Sequence, residues 1–162
     1  MLNPYNVIEA HSGYEFSTDH GIIYYVYFTN VGDTFGEQDC VFSFGFEPKN
    51  IGSYHDLPKD GRVGDTIASI IESFFTQYEN VIVYVPYDKD KKDKLRMRLF
   101  DIWFAKYQPL LNCPELCKDR VSLVYAEDAC MDVTALYRIE QTGLAQRILF
   151  GDIPDIWDAS KF

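Results

Sequence analysis

The sequence predicts a single α+β domain over residues 1–162, with a mixed, twisted sheet of about seven strands and two main helices. Short apolar or alternating runs bounded by Gly, Pro, Asn and Asp are typical of strands. Two stretches with helical periodicity lie between such runs, which indicates crossovers between parallel strands. With 47% of its residues hydrophobic, the chain can bury one core without disulfides or metals. The expected order of elements is β-β-β-α-β-α-β-β-β.

The first part of the chain predicts a β-hairpin and a third strand. Residues 1–13 are polar and unpatterned, so we expect a loose lead-in. Residues 14–18 and 22–29 flank Asp19-His20-Gly21, a turn signal, and are predicted to pair as a hairpin. Residues 40–47 place three phenylalanines on one face with small or polar residues between them, which is typical of a strand.

The first helix is predicted over residues 66–78, after a long polar loop at 48–64. Asp65 is placed to cap its N-terminus. One side of this helix is apolar and should face the sheet; its residues are Ile67, Ile70, Ile71, Phe74, Phe75 and Tyr78. Residues 81–85 form an apolar run that predicts a central strand, parallel to the strand at 41–47.

The second helix is predicted from about residue 91 to Tyr107, because Gln108 precedes Pro109 and is disfavoured in the α region. A strand is expected at 121–126, and strands at 134–140 and 145–150 should form a last hairpin. Residues 151–162 make an acidic and apolar tail. Its Ile153, Ile156 and Trp157 could contact another protein, although such segments more often fold back on their own domain.

Arg96 has an unusual position on the second helix. With Leu95 as the origin of the helical wheel, it falls in the middle of an apolar arc, whereas Arg98 and Asp101 face the other way. The members of the arc are Leu95, Leu99, Phe100, Trp103, Phe104, Tyr107, Leu110 and Leu111. A guanidinium directed at a core needs acceptors, and Asp88 and Asp90 after the preceding strand are the nearest ones.

Two interpretations of Arg96 stay open. It could form a structural clamp with Asp88 or Asp90, or it could bind an anion or a partner's carboxylate in the crevice outside the strand ends. The candidate binding residues are Asp88, Asp90, Arg96, Arg62 and Tyr84.

The pattern on and around the second helix resembles a family of small bacterial proteins of unknown function. The resemblance covers residues 14–150, and its most specific part is the R-x-R-L-F-x-x-W-F run. The residues that carry it are Tyr84, Asp88, Asp90, Arg96, Arg98, Leu99, Phe100, Trp103 and Phe104, with Thr66-Ile67 and Phe74-Phe75. It implies a bacterial, cytoplasmic single-domain protein and carries no activity or site.

The order of the elements is also similar to that of the GNAT acyltransferases. In that family a Gly-rich loop that opens a helix binds the pyrophosphate of acetyl-CoA, and residues 59–65 stand at the matching place. They lack the family's R/Q-x-x-G-x-G/A order, and the Asp65 carboxylate would occupy the N–H groups that phosphate needs. The family's second signature, a helix segment that ends in Gly-Phe, is replaced here by Trp103-Phe104. The resemblance implies a GNAT-like fold. Acetyl-CoA would be a cofactor only if the chain is an acyltransferase of this kind.

Composition and motifs narrow the possible functions. A net charge of -10 disfavours nucleic acid and membrane partners. The chain begins without a signal peptide pattern, and four scattered cysteines suit a cytoplasmic location. Cys113 and Cys117 have no second ligand pair, so we expect no metal, and we see no nucleophile motif and no catalytic residues.

The leading hypothesis is therefore a non-enzymatic protein-binding or regulatory module without a cofactor. The first alternative is a divergent GNAT-like acyltransferase that uses the crevice between the strands at 41–47 and 81–85. The second is an acidic inhibitor that mimics nucleic acid. The sequence does not indicate an oligomeric state.

Overall fold

The computed structural model of the chain describes residues 1–10, 13–32, 41–50, 57–77, 80–86, 91–112, 115–126 and 129–150. The strands are β1 (Val7–Ala10), β2 (Gly13–Ser17), β3 (Ile23–Asn30), β4 (Val41–Pro48), β5 (Val81–Tyr84), β6 (Leu116–Ala126) and β7 (Ala129–Arg138). The helices are α1 (Gly61–Gln77), α2 (Asp93–Tyr107) and α3 (Thr142–Phe150), with short 3₁₀ turns at Gln108–Leu110 and Ile139–Gln141.

The strands form one mixed sheet in the order β1-β2-β3-β4-β5-β7-β6. β4 and β5 are parallel, and the other neighbours are antiparallel. This confirms the predicted α+β class, the mixed seven-stranded sheet and the β2–β3 hairpin. It also confirms the parallel pair, in which α1 makes the crossover from β4 to β5.

Helices cover both faces of the sheet. Alternation along β7 shows this directly, since Leu136 packs in the core with α1 and α2, whereas Ala135 and Tyr137 pack in the core with α3. α2 therefore lies on one face and α3 on the other. Among the described helices, none has the length and apolar character needed to cross a membrane.

Two segments differ from the prediction. Residues 7–10, expected in a loose lead-in, form β1 and pair with β2. Residues 145–150, expected as a strand, belong to α3, because Leu144, Ala145, Ile148 and Leu149 have helical spacing and are all buried. The last hairpin is instead β6–β7, and β6 begins at Leu116, before the predicted 121. The run from Lys118 to Arg120 is charged throughout and lacks the apolar residues that predict a strand, so the sequence did not indicate this earlier start.

The start of α1 also differs from the prediction. Asp60, not Asp65, is the capping residue: its Oδ1 accepts a hydrogen bond from the Arg62 N–H at 3.0 Å. Asp65 lies one turn inside the helix, where it accepts hydrogen bonds from the Asn3 N–H at 3.0 Å and from the Tyr107 hydroxyl at 2.8 Å. Its carboxylate therefore joins α1 to the N-terminal segment and to α2.

The predicted apolar side of α1 is confirmed where the structure describes it. Ile67, Ile70, Ile71, Phe74 and Phe75 are buried, while Tyr78 lies outside the described residues. This side packs on the aromatic residues of β3 and β4; the rings of Phe28 and Phe74 stack with centroids 4.1 Å apart. The local periodicity was sufficient to predict how this helix faces the sheet.

Gly64 allows the close approach of α2 to α1. A Cβ at this position would lie 2.5 Å from the Tyr107 hydroxyl and 3.0 Å from the Trp103 Nε1. The contact needs a residue without a side chain, because the Tyr107 hydroxyl is already fixed by its hydrogen bond to Asp65. Gly64, which lies in the stretch that matches the place of the GNAT phosphate-binding loop, thus has a packing role.

We predict opposite effects for Ala at the two helical glycines. Gly64→Ala should lower the free energy of unfolding by about 1–3 kcal/mol, because the new methyl group overpacks the α1–α2 contact. Gly61→Ala is the matched control, since a Cβ there meets nothing within 4 Å. It should be neutral or stabilising by up to about 1 kcal/mol, as Ala normally is in a helix. Urea denaturation measures both, and equal effects would contradict the proposed contact.

Candidate functional site

The end of β5 brings together two of the candidate residues. The ring of Tyr84 stacks on Phe100 of α2, with centroids 4.8 Å apart and planes 13° from parallel. Burial raises the pKa of Tyr84, and the nearby positive charge of Arg96 opposes this rise. Arg96 itself is half-buried. Asp88 and Asp90 lie outside the described residues, so the clamp stays a prediction.

Arg62, a third candidate, is engaged by the N-terminal segment. Its guanidinium lies 3.8 Å from the centre of the Tyr5 ring and donates hydrogen bonds to the Asn3 and Pro4 carbonyls. The Tyr5 hydroxyl in turn donates to Asp60 Oδ2 at 2.7 Å. Residues 3–5 therefore cover the first turn of α1, and Arg62 holds this segment in place.

An ion-pair cluster that the sequence did not reveal joins α2 to β6. Asp101 of α2 accepts two hydrogen bonds from the Arg120 guanidinium, at 2.9 and 2.5 Å, and one from Lys118 at 2.5 Å. Arg120 Nε also donates to the Thr134 hydroxyl at 3.1 Å. The hydrogen bonds from Arg120 are the main cause that lowers the pKa of Asp101 to about 2. Asp101, predicted to face away from the sheet, thus faces β6.

A buried carboxylate of β7, that of Asp132, contacts the start of α2. Only 7% of the Asp132 side chain is exposed, and it accepts hydrogen bonds from Lys94 and from the Ser122 hydroxyl, each at 2.5 Å. Burial acts to raise the pKa of Asp132, but the hydrogen bonds from Lys94 and Ser122 outweigh it, and the pKa is lowered. Asp101 and Asp132 are therefore ionised and paired, which suits anchoring of α2 better than proton transfer.

The space between α1, α2 and the sheet is too small for a ligand of the size of a cofactor. A cavity there has a volume of about 30 Å³, which is room for only one or two water molecules. Apart from Gln108, its lining residues are apolar or aromatic, and they include Ala68, Ile71, Trp103 and Leu136. Within the described residues, no group of three or more His, Cys, Asp or Glu side chains is placed to hold a metal ion.

The outward side of α2 carries an exposed apolar row. Leu95, Leu99 and Ile102 are 53, 55 and 56% exposed. They follow one another at i, i+4 and i+7, so they lie on one side of the helix. The sequence analysis placed Leu95 and Leu99 in the core. Instead, the buried residues are Met97 and Tyr107, with Phe100, Trp103 and Phe104 packed against the core.

Basic side chains surround this row. Six of the chain's 15 Lys and Arg residues fall between positions 91 and 106, against two acids, Asp93 and Asp101. Arg98 and Lys106 are exposed, whereas neither acid is. We define the outer face of α2 as Leu95, Arg98, Leu99, Ile102 and Lys106. A chain with a net charge of -10 thus has a basic and apolar face on one helix.

We predict that Arg96 and Arg98 contribute unequally to stability. Arg96→Ala should lower the free energy of unfolding by about 1–3 kcal/mol, because its half-buried stem and charge pack beside Tyr84. Arg98→Ala, the matched control on the exposed side, should cost under about 0.5 kcal/mol. Chemical denaturation measures both values. Equal losses would show that the rotation of α2 differs from the one described.

We predict that the Asp101–Arg120 pair makes stability depend on pH in the acid range. The folded pKa of Asp101, about 2, is below the unfolded value of about 3.9. The stabilisation is complete above about pH 4 and is lost as the pH falls towards 2. Because 38% of the side chain is exposed, we expect about 1 kcal/mol from this pair.

Asp101→Asn should therefore lower the free energy of unfolding at pH 7 by about 1 kcal/mol and flatten its dependence between about pH 4 and pH 2. Glu9→Gln on β1 serves as the control, as it removes an exposed carboxylate. Urea denaturation at several pH values measures both. An unchanged acid slope in Asp101→Asn would contradict the role given to this pair.

Comparison with known proteins gives a match to a family model. Residues 59–137 match the model of DUF6169, a family of unknown function, while no curated protein and no solved structure matches the chain. The match confirms the resemblance to an uncharacterised family, and the likeness to GNAT acyltransferases stays a prediction. The matched range runs from the residue before the Asp60 cap to Tyr137, the penultimate residue of β7, and includes α1, α2 and the ion pairs of β6. Residues 59–137 thus carry the sequence pattern of the DUF6169 family of unknown function.

Proposed function

We propose that the protein is a non-enzymatic binding module that holds an acidic, amphipathic segment of another protein against the outer face of α2. The observation that carries this proposal is the row of Leu95, Leu99 and Ile102, more than half exposed and flanked by Arg98 and Lys106. Single exposed aliphatic residues are common, but a row with helical spacing is typical of a helix that contacts a partner.

The charge of this face favours an acidic partner. Two copies of α2 packed face to face would bring Arg98 and Lys106 near their own equivalents, and such like-charge contacts disfavour self-association. Nucleic acids and anionic membranes would meet the same basic side chains. They would also meet the repulsion of a chain whose net charge is -10. A short acidic segment makes the local contacts without approaching the rest of the chain closely.

The expected affinity is low. Full burial of an aliphatic side chain stabilises a complex by about 1.5–3 kcal/mol, so three half-exposed residues contribute about 3 kcal/mol in total. Exposed ion pairs add less than about 1 kcal/mol each. These contributions total about 3–5 kcal/mol before the cost of association is counted, so the dissociation constant is expected to be in the millimolar range, which suits a reversible, regulatory contact.

The arrangement of the carboxylates supports a non-enzymatic role. Asp101 and Asp132 are held by Arg120, Lys118 and Lys94, and their lowered pKa values make them poor general bases near neutral pH. In the N-terminal half of the chain, Tyr5 and Arg62 cover the start of α1. An anionic cofactor group at this place would need free backbone N–H groups.

We predict that a designed peptide with leucines at i, i+3 and i+7, flanked by glutamates, binds the full chain. The same peptide with lysines in place of the glutamates should bind at least tenfold more weakly, because it meets basic side chains. Leu99→Asp should weaken binding of the acidic peptide at least tenfold by placing a carboxylate within the row. Fluorescence anisotropy of the labelled peptide measures each affinity.

Ile8→Asp is the matched control. Ile8 is 57% exposed and lies on β1, at the opposite edge of the sheet from β6, so its substitution should leave peptide binding unchanged. Equal binding of the acidic and basic peptides, or a loss with Ile8→Asp as large as that with Leu99→Asp, would overturn the proposal. Binding to anionic phospholipid vesicles that exceeds binding to the acidic peptide would also overturn it.

One observation favours a second candidate, the divergent acyltransferase. Among the residues that the structure describes, the pairing of β4 with β5 runs from Val41 to Ser43, whereas its pairing with β3 continues to Pro48. The two parallel strands therefore lose contact towards their carboxyl ends, where ligands bind in open parallel sheets. Isothermal calorimetry with acetyl-CoA decides this candidate, which is excluded if millimolar ligand gives no heat. The acidic mimic of nucleic acid stays a prediction that no specific contact favours.

A further inference from the structure

We infer that two copies of this chain associate through β1, with the two strands paired antiparallel across a two-fold axis at Ile8. This surface is separate from the outer face of α2, so the inference goes beyond the proposed function. β1 is an edge of the sheet and pairs with β2 alone among the described strands. Residues of an antiparallel ladder alternate in the direction of their backbone groups. Two of the four residues of β1 therefore direct N–H and C=O groups away from β2.

The two edges of the sheet differ in how they are protected against pairing. Natural edge strands often carry charged side chains, which oppose the approach of another strand. The edge strand β6 has this feature in the charged run from Lys118 to Arg120. β1 has one charged residue, Glu9, and its Ile8 is 57% exposed. β1 is therefore the edge that is suited to accept another strand.

The chain before β1 does not occupy this edge. The Asn3 N–H donates a hydrogen bond to Asp65 at 3.0 Å, and the Tyr5 N–H donates one to the Thr66 hydroxyl at 2.8 Å. These contacts hold residues 3–5 on α1 rather than along β1. The backbone groups at the edge are therefore not covered by the segment that precedes them.

The two-fold symmetry of such a pair restricts its register. Directly opposite residues of a sheet point to the same face, and neighbours along a strand point to opposite faces. The axis must therefore lie beside a single residue, which then faces its own equivalent. With the axis at Ile8, the two Ile8 side chains are opposite each other, and Glu9 of each copy is opposite Val7 of the other. This register has no like-charge pair and brings two exposed isoleucines into contact.

The other registers of β1 are less favourable. An axis at Glu9 would place two carboxylates opposite each other, which is destabilising. An axis at Val7 would pair Glu9 with Tyr5, whose N–H is already bound on α1. An axis at Ala10, the last residue of β1, would leave most of the strand without a partner. The geometry therefore selects the register centred on Ile8.

The charge of the chain is compatible with this contact. Although the net charge is -10, Glu9 and Glu15 are the only acids in residues 1–18. Glu15, which lies opposite Ile8 on β2, is paired with Lys49. The repulsion between two copies therefore comes mainly from distant charges, which salt screens over about 10 Å at 0.1 M. We expect association to strengthen as the salt concentration rises.

A contact between two four-residue strands is small. It buries less than the roughly 1,200 Å² of stable interfaces, so we expect a weak and reversible dimer. The dimer leaves both outer faces of α2 accessible, because α2 contacts β6 at the opposite edge of the sheet.

Sedimentation equilibrium of the full chain tests the association. Between about 10 μM and 1 mM protein the average mass should rise above that of one chain, and it should rise further in about 0.5 M salt. Ile8→Lys should lower the association constant at least tenfold, because it places two cations opposite each other even though it reduces the net negative charge. Thr29→Lys, at an exposed position of β3, and Leu99→Asp, on the outer face of α2, should leave it unchanged.

Disulfide cross-linking tests the register. Ile8→Cys should form a covalent dimer under mild oxidation, because directly opposite Cβ atoms lie about 4.5–5.5 Å apart, close to the disulfide range. Glu9→Cys is the matched control, since an axis at Ile8 separates the two copies of residue 9. The unaltered chain, which has four cysteines, gives the background. On a non-reducing gel, the yield for Ile8→Cys should be at least fivefold higher than for either control.

The outcomes decide this inference separately from the proposed function. A chain that stays monomeric at the highest protein and salt concentrations would overturn it, and so would equal cross-linking of Ile8→Cys and Glu9→Cys. Association that Leu99→Asp abolishes and Ile8→Lys leaves intact would assign the contact to the outer face of α2 and would also overturn it. Binding of the acidic peptide to Ile8→Lys, in which the dimer is lost, tests the proposed function on its own.

Discussion

The rotation of α2 about its axis determines most of what this protein exposes. Three contacts fix it: Lys94 with Asp132 near its start, Asp101 with Arg120 at its centre, and Tyr107 with Asp65 at its end. A rotation that buried Leu95 and Leu99 would separate Asp101 from Arg120 and move Tyr107 away from Gly64. It would gain about 2 kcal/mol from the leucines, but it would lose two partly exposed ion pairs and the packing of the aromatic side of the helix against the core.

The sequence was sufficient where the determining pattern is local. The buried side of α1, the parallel pair β4–β5 and the end of α2 before Pro109 each follow from residues within one element or its immediate neighbours. The rotation of α2 could be predicted only in part, because its apolar arc spans about half of the helix and only part of that arc fits against the core. The aromatic side of the helix packs against the core, and Leu95 and Leu99 are exposed to solvent.

Long-range contacts explain the remaining differences. The partners of Asp101 lie 17 and 19 residues away on β6, and Tyr5 contacts Asp60 across 55 residues. No periodicity in either segment indicates such pairs. For the same reason, Asp65 could be mistaken for a cap and residues 1–13 for a loose lead-in. A sequence signal did exist for the outer face of α2, since its basic residues stand out in an acidic chain.

The ion pairs of α2 and its outer face are therefore consequences of one arrangement. The side of the helix that carries Asp101 must face Arg120, because a half-buried guanidinium without a carboxylate would destabilise the fold. Once that contact is made, the helical period places Leu95, Leu99 and Ile102 in solvent together with Arg98 and Lys106. An exposed apolar row promotes association unless something covers it. A ligand for this face must then supply both apolar contacts and negative charge.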